Sequence, residues 1–216
     1  MESYILLGGP GAGKGTLSQT LMLIKQIPHI STGDLLREAM SKATALGLEA
    51  KGYIESGALV PDDLVNAMVR ERLDQADAQS GFILDGYPRT LDQGKFLDNY
   101  LHEQGRSIRA VIFVEVPEDL VVARLSARRV CPDCGASYHL LNKPPKKDGI
   151  CDVCGHALIH RNDDQESTIR QRLLTYQEST FPLVDFYEKK GILHRFDNSG
   201  TVDAMDMAFR SFLETL

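Results

Sequence analysis

Five short apolar runs recur along the chain, at residues 4–7, 27–30, 82–84, 110–114 and 192–196. Runs of this length predict buried strands. Between them, apolar residues fall at helical spacing, as Leu64, Val65, Met68, Val69 and Leu73 do after the start signal Pro61-Asp62-Asp63. Strand alternating with helix predicts an α/β fold, a five-stranded parallel sheet covered by helices on both faces. A further helix is predicted to start near residues 162–164, run past Ile169, Leu173 and Tyr176, kink or break at Pro182 and stop before Gly191. Two stretches break the rhythm and read as insertions between core elements. Residues 31 to about 60 predict short helices with Gly47, Gly52 and Gly57 among them, and residues 128 to about 164 hold every cysteine.

The 216 residues are 43% hydrophobic and 25% charged, enough for a sizeable core, which excludes a disulfide miniprotein or a disordered tail. The net charge of −6 provides no overall positive field for nucleic acid or an anionic membrane, although an acidic chain can still hold a basic cleft. No basic segment followed by an apolar one opens the chain, so no secretory signal is expected and the protein is expected in the cytoplasm. No apolar stretch approaches the ~20 residues that span a bilayer.

Candidate chemistry begins directly after the first strand, with Gly8-Gly9-Pro10-Gly11-Ala12-Gly13-Lys14-Gly15-Thr16. Glycines bring backbone N–H groups close to phosphate oxygens, the following helix presents its positive end, and Lys14 supplies a point charge. One position departs from the general phosphate-loop pattern: Gly15 separates Lys14 from the hydroxyl of Thr16. A second motif, Gly81-Phe82-Ile83-Leu84-Asp85-Gly86-Tyr87-Pro88-Arg89, ends a strand in an aspartate, where ligands of open α/β sheets bind. Asp85 there is suited to orient waters on Mg²⁺. Third, Cys131, Cys134, Cys151 and Cys154 form C-x2-C-x16-C-x2-C, the spacing of a four-thiolate site. Four thiolates leave no open position, so the ion is structural, zinc or alternatively iron; two disulfides are the competing pairing. Arg37, Arg89, Arg124, Arg128, Arg161 and Arg172 complete the candidates, each individually a possible surface charge and together suited to two phosphate ligands. The six histidines show no ligand or triad spacing and read as surface or core residues.

Taken in order, residues 8–16, Ser31-Thr32-Gly33-Asp34, residues 81–90 and Arg161-Asn162-Asp163-Asp164 resemble the adenylate kinase family over nearly the whole chain, in its long form with a zinc-bearing lid. The resemblance implies the nucleoside monophosphate kinase fold, with a core of residues 1–30, 61–127 and 165–216, a mobile AMP-binding insertion at 31–60 and a mobile lid at 128–164. It implies reversible Mg²⁺-dependent phosphoryl transfer, ATP + AMP = 2 ADP, serving adenine nucleotide homeostasis and salvage. By motif, Gly11, Ala12, Gly13, Lys14, Gly15, Thr16, Arg124, Arg128, Ser137, Tyr138 and Gly200 would bind ATP. Thr32, Arg37, Ala58, Leu59, Val60, Gly86, Tyr87, Pro88, Arg89, Gln93, Arg161 and Arg172 would bind AMP, with Gln93 reading adenine. Lys14, Asp85, Arg89, Arg128, Arg161 and Arg172 would carry catalysis, Cys131, Cys134, Cys151 and Cys154 would hold Zn²⁺, and a monomer is implied. Leu17 and Tyr87 stand where many relatives have Gln and Phe, and residues 21–26 lack the glycine that commonly precedes the second strand. Other acceptors (UMP, CMP, a small alcohol), a nucleotide switch without transfer, and a zinc-ribbon module for nucleic acid are the alternatives. Against the last, Lys143, Lys146 and Lys147 form no aromatic-basic stripe.

Overall fold

In the computed structural model, which describes residues 2–216, the apolar runs form one parallel sheet. Its strands are β1 (Glu2–Leu7), β2 (His29–Ser31), β3 (Gly81–Asp85), β4 (Ala110–Glu115) and β7 (Leu193–Asp197), in the spatial order β2-β3-β1-β4-β7. β1 is central, in register with β3 through Tyr4↔Ile83 and with β4 through Tyr4↔Ala110. Successive side chains enter opposite faces, which is why the runs are apolar throughout. Ile5, Leu7, Phe82, Leu84, Val111 and Phe113 share one cluster, and Tyr4, Leu6, Ile83, Ala110, Ile112 and Val114 share another. The first is covered by α4 (Asp62–Leu73), α5 (Leu91–Glu103) and α8 (Pro182–Lys189), the second by α1 (Lys14–Lys25) and α9 (Val202–Leu213).

The second strand begins later than its apolar run, at His29, because Pro28 has no N–H for a ladder; its carbonyl still accepts from Ile83 N at 2.9 Å. Where a glycine was missed, Gln26 itself closes α1 in the left-handed conformation, φ 54°, its N–H bonded to Met22 O. Within residues 31–60, α2 (Thr32–Ser41) and α3 (Ala45–Ser56) pack as a pair. Ser31 and Thr44 cap them through Asp34 N and Gly47 N. Gly47 is needed at their crossing, since a Cβ there would lie 2.1 Å from Ala39 O.

The helix expected from near residue 162, with a kink or break at Pro182, is four pieces: a 3-10 turn at Asn162–Asp164, α7 (Glu166–Thr175), a π turn at Tyr176–Thr180, and α8. Pro182 can donate no i→i−4 bond and its ring crowds the carbonyl of Glu178, so the chain widens ahead of it. Phe181 N donates to Tyr176 O at 2.8 Å, the five-residue closure of a π turn. Between α6 (Glu118–Ser126) and this segment, β5 (Arg128–Val130) and β6 (Ser137–His139) form a small antiparallel sheet.

Candidate active site

The loop from Gly8 to Gly13 joins β1 to α1 at the carboxyl edge of the sheet. Gly13 has φ 89°, and a Cβ there would lie 2.4 Å from Asn198 Nδ2, which itself donates to Ala12 O at 2.7 Å. The loop therefore turns into α1 with the close backbone approach that phosphate requires. Lys14 Nζ donates to Gly8 O (2.8 Å) and Gly9 O (2.9 Å). Burial, reinforced by the positive charges of Arg89, Arg172 and Arg128, lowers its pKa to about 8, against the pull of Asp85. Gly15 and Thr16 are exposed at the helix start.

Asp85 ends β3 beside this loop, 3.7 Å from where a Cβ on Gly15 would stand. His29 Nε2 lies 3.4 Å from its Oδ2. Burial pushes the carboxyl up, but His29 and the charge of Lys14 outweigh it and hold Asp85 below the usual carboxylate range. His29, read from sequence as a surface or core residue, thus belongs to the site. The following turn places Tyr87 in the core, where its hydroxyl donates to Asn66 Oδ1 at 2.6 Å, the partner that accounts for Tyr in place of Phe. Arg89 Nε donates to Gly86 O at 2.8 Å, and Arg89 N donates to Gln93 Oε1 at 2.7 Å. Gln93 Nε2 in turn donates to Asp62 Oδ1, and Thr90 to Asp62 Oδ2, so the Gln93 amide has a fixed orientation.

The arginines converge. Arg128 makes a bidentate pair with Asp164 (2.8 and 2.6 Å), whose carboxylate is fully buried and also accepts from Arg172 at 3.1 Å. Arg172 reaches Asp163 at 3.0 Å, Arg37 reaches Asp34 at 2.5 Å, and Arg161 lies 3.6 Å from the same Asp34. Burial depresses the pKa of Arg89 to about 10, with Arg172 adding to the effect, and that of Arg161 to about 10, with Arg37 and Arg128 adding. Arg172 is lowered for the same reasons. Among the described residues, Arg161 Nε is buried with no hydrogen-bond partner. Such a group of cations, with too few carboxylates to balance it, is built to receive anions.

Two spaces adjoin it. A cleft of about 1280 Å³ runs from the phosphate loop past Asp85, Arg128 and Arg161 to Ser137, Tyr138, Asn198 and Gly200. A smaller cavity of about 70 Å³ is walled by Leu36, Ala58, Leu59, Val60 and Gln93, with Arg37, Arg89 and Arg172 at its edge. Thr32 lines it too, its hydroxyl donating to Gly86 O at 2.7 Å. Arg124 donates to Asn198 O (2.8 Å) and Gly200 O (3.3 Å), fixing that rim. Pro88 is buried in the loop floor.

The cysteines are free thiols whose sulfurs all lie within 4.8 Å of one another, which removes the disulfide alternative. Cys131 Sγ is 3.3 Å from Cys154 Sγ, and Cys134 Sγ is 3.5 Å from Cys151 Sγ. A tetrahedron with metal–sulfur bonds of about 2.3 Å has edges of about 3.8 Å, so this donor set fits a four-thiolate ion. Gly135 N to Cys131 O and Gly155 N to Cys151 O close matching turns. Tyr138 OH accepts from Asp152 N at 2.7 Å and reaches Cys151 Sγ at 3.5 Å, while its main chain pairs with Arg129 in the small antiparallel sheet.

Sequence reasoning missed His29, Asp164 and Asn198. The acidic pair of Asp163 and Asp164 beside Arg161 was a usable signal; Asn198 is 186 residues from Ala12 and offered none.

The adenylate kinase family profile matches residues 6–192. An adenylate kinase of Archaeoglobus fulgidus is 50% identical over 214 residues, covering 99% of each chain. One from Thermotoga petrophila is 50% identical over 204 residues, 94% of this chain and 93% of its own. Another from Clostridium perfringens is 46% identical over 212 residues, 98% and 97% respectively. With a profile spanning most of its length and relatives this similar end to end, the chain belongs to the adenylate kinase family.

Proposed function

We propose that this chain catalyses ATP + AMP = 2 ADP with Mg²⁺, and that Lys14, Arg37, Arg89, Arg128, Arg161 and Arg172 divide that work. The observation carrying the reading is their convergence between a phosphate loop on one side and a small cavity with apolar walls on the other. The attacking atom is an AMP phosphate oxygen, already anionic near neutral pH, so no general base is needed. It forms a bond to the γ-phosphorus of ATP while the bond from that phosphorus to the β–γ bridging oxygen breaks. The protein's tasks are alignment, charge stabilisation and exclusion of water.

In this reading Gly11 to Thr16 hold the ATP phosphates with Lys14 and Arg128. Arg37 and Arg89 hold the AMP phosphate, and Arg161 with Arg172 meet charge in the transition state. Arg124, Ser137, Tyr138 and Gly200 line the ATP end, while Thr32, Ala58 to Val60, Gly86 to Pro88 and Gln93 line the AMP end. Asp85 would orient waters on Mg²⁺, which would neutralise phosphate charge when bound with nucleotide. The four cysteines would hold zinc as a structural ion. Residues 31–60 act as the AMP-binding insertion and 128–164 as the lid on a core of 1–30, 61–127 and 165–216. We place the protein in the cytoplasm as a monomer that binds neither nucleic acid nor membrane. Its net charge of −6 supports the first exclusion, and among the described residues no helix is long and apolar enough to cross a bilayer.

A phosphorus-NMR time course with ATP, Mg²⁺ and AMP, UMP, CMP or GMP tests the reaction: ADP accumulates rapidly only with AMP. Arg89→Ala is expected to slow turnover by orders of magnitude with the fold retained. Near-parental ADP formation by that variant would remove Arg89 from the mechanism.

A further inference from the structure

Arg89 is held at three points. Gln93 Oε1 accepts its N–H, Gly86 O accepts its Nε–H, and Thr180 Oγ1 donates to its carbonyl at 2.8 Å. Gln93 and Gly86 belong to the same short stretch as Arg89, and Asp62 at the start of α4 holds that stretch through Gln93 and Thr90. Of the three, Thr180 alone comes from a distant part of the chain, 91 residues on. It is 6% exposed, in the π turn that follows α7, and α7 carries Arg172.

A π turn takes up one residue more than an α turn, so the turn as well as the helical period sets the side on which residue 180 emerges. Here it emerges against the Arg89 carbonyl. Two of the three arginines that border the small cavity are thereby fixed relative to each other: Arg172 by its place on α7, Arg89 by a bond to the continuation of α7. With Nε engaged by Gly86 O, the terminal nitrogens of Arg89 are what remains to reach an anion, and a shift of its backbone would carry them away from it. Misplacement of this order is costly for reactions that depend on alignment.

We propose that Thr180 is a positioning residue for the acceptor side of the reaction: its hydroxyl fixes the Arg89 main chain to the helix bearing Arg172, and so aims the Arg89 guanidinium at the monophosphate. This rests on the reading of Arg89 as the AMP-phosphate ligand. A purely structural threonine would support stability without favouring either substrate.

The test measures kcat and KM for AMP and for ATP in Thr180→Val, Thr180→Ser, Arg89→Ala and the double variant Thr180→Val/Arg89→Ala, with melting temperatures for each. Thr180→Val keeps the shape and removes the donor. We expect kcat/KM for AMP to fall by about tenfold while KM for ATP changes by less than about twofold. Thr180→Ser restores AMP use to within about twofold of the parent, and Thr180→Val adds less than about twofold in the Arg89→Ala background, where the main-chain bond remains but the guanidinium it aims is already gone. Equal losses for both nucleotides, a lowered melting temperature with unchanged AMP kinetics, or the same loss with and without Arg89 would overturn the proposal. If Thr180→Val does not fold, Thr180→Ala is put through the same comparisons. Arg89→Ala with normal AMP use would overturn the underlying reading, whereas an impaired Arg89→Ala beside a normal Thr180→Val would overturn the role of Thr180 alone.

Discussion

Gln26 holds a left-handed conformation at φ 54° to end α1, a position where a side chain is disfavoured and glycine is not. Gln26→Gly is expected to stabilise the protein by about 0.5–1 kcal/mol after allowing for the looser unfolded chain, read as a higher urea midpoint at unchanged slope. Lys14 raises a different matter at the same scale. Its pKa of about 8 lies below the ordinary lysine value, so between pH 8 and the unfolded value near 10.5 the unfolded chain keeps a proton that the folded chain has lost. This group's contribution to stability therefore rises with pH across that window. A bound polyphosphate favours the charged form, so ATP binding at pH 8 should take up about half a proton, approaching one near pH 9. Calorimetry in two buffers of different ionisation enthalpy checks this, and zero uptake at both pH values would refute it. Motif spacing made Lys14, Asp85 and Arg89 visible in the sequence because each sits within a few residues of its defining glycines. The partners that fix them were not visible: Asp164 meets Arg128 across 36 residues and Thr180 meets Arg89 across 91, and nothing local encodes either.

At the scale of elements, the five strands could be read because a sheet buried on both faces needs continuous apolar runs. The segment after residue 162 could be read only in part. Pro182 forecast a kink or a break, but whether the chain kinks, unwinds or widens depends on what the preceding turn packs against, and here Thr180 and Thr175 find carbonyls of Arg89 and Gly57. The cysteine segment follows another rule. Its core is a few side chains, Tyr138 with Cys131 and Cys151 chief among them, too few to hold residues 128–164 without an ion. Chelation, or Cys151→Ser, is expected to lower the melting temperature and to abolish hydrogen-exchange protection in residues 128–164 first, while the parallel sheet stays protected. Protection lost simultaneously in both regions would contradict the idea of a metal-dependent unit.

For the whole molecule, the −6 total hides a local excess of cations at the cleft, and that excess opposes folding of the ligand-free chain. Arg161 shows the conflict most plainly, with a buried Nε lacking a partner and a guanidinium pulled down to about pH 10. Arg161→Gln is expected to leave the stability of the nucleotide-free protein equal or to raise it by about 1 kcal/mol, while turnover falls sharply. A large loss of stability would mean that Arg161 is chiefly a structural residue.

Spatial order and chain order also differ in this sheet, and that has a consequence during synthesis. β1 emerges first but lies at the centre, between β3 and β4, and the loop that follows it is secured to Asn198 through Ala12 O. At a translation rate of about 5–20 residues per second, the ribosome needs about 10–40 s to reach that asparagine. Until then the nascent chain carries a phosphate loop without its anchor, so a product truncated before residue 198 is expected to lack the loop's folded form.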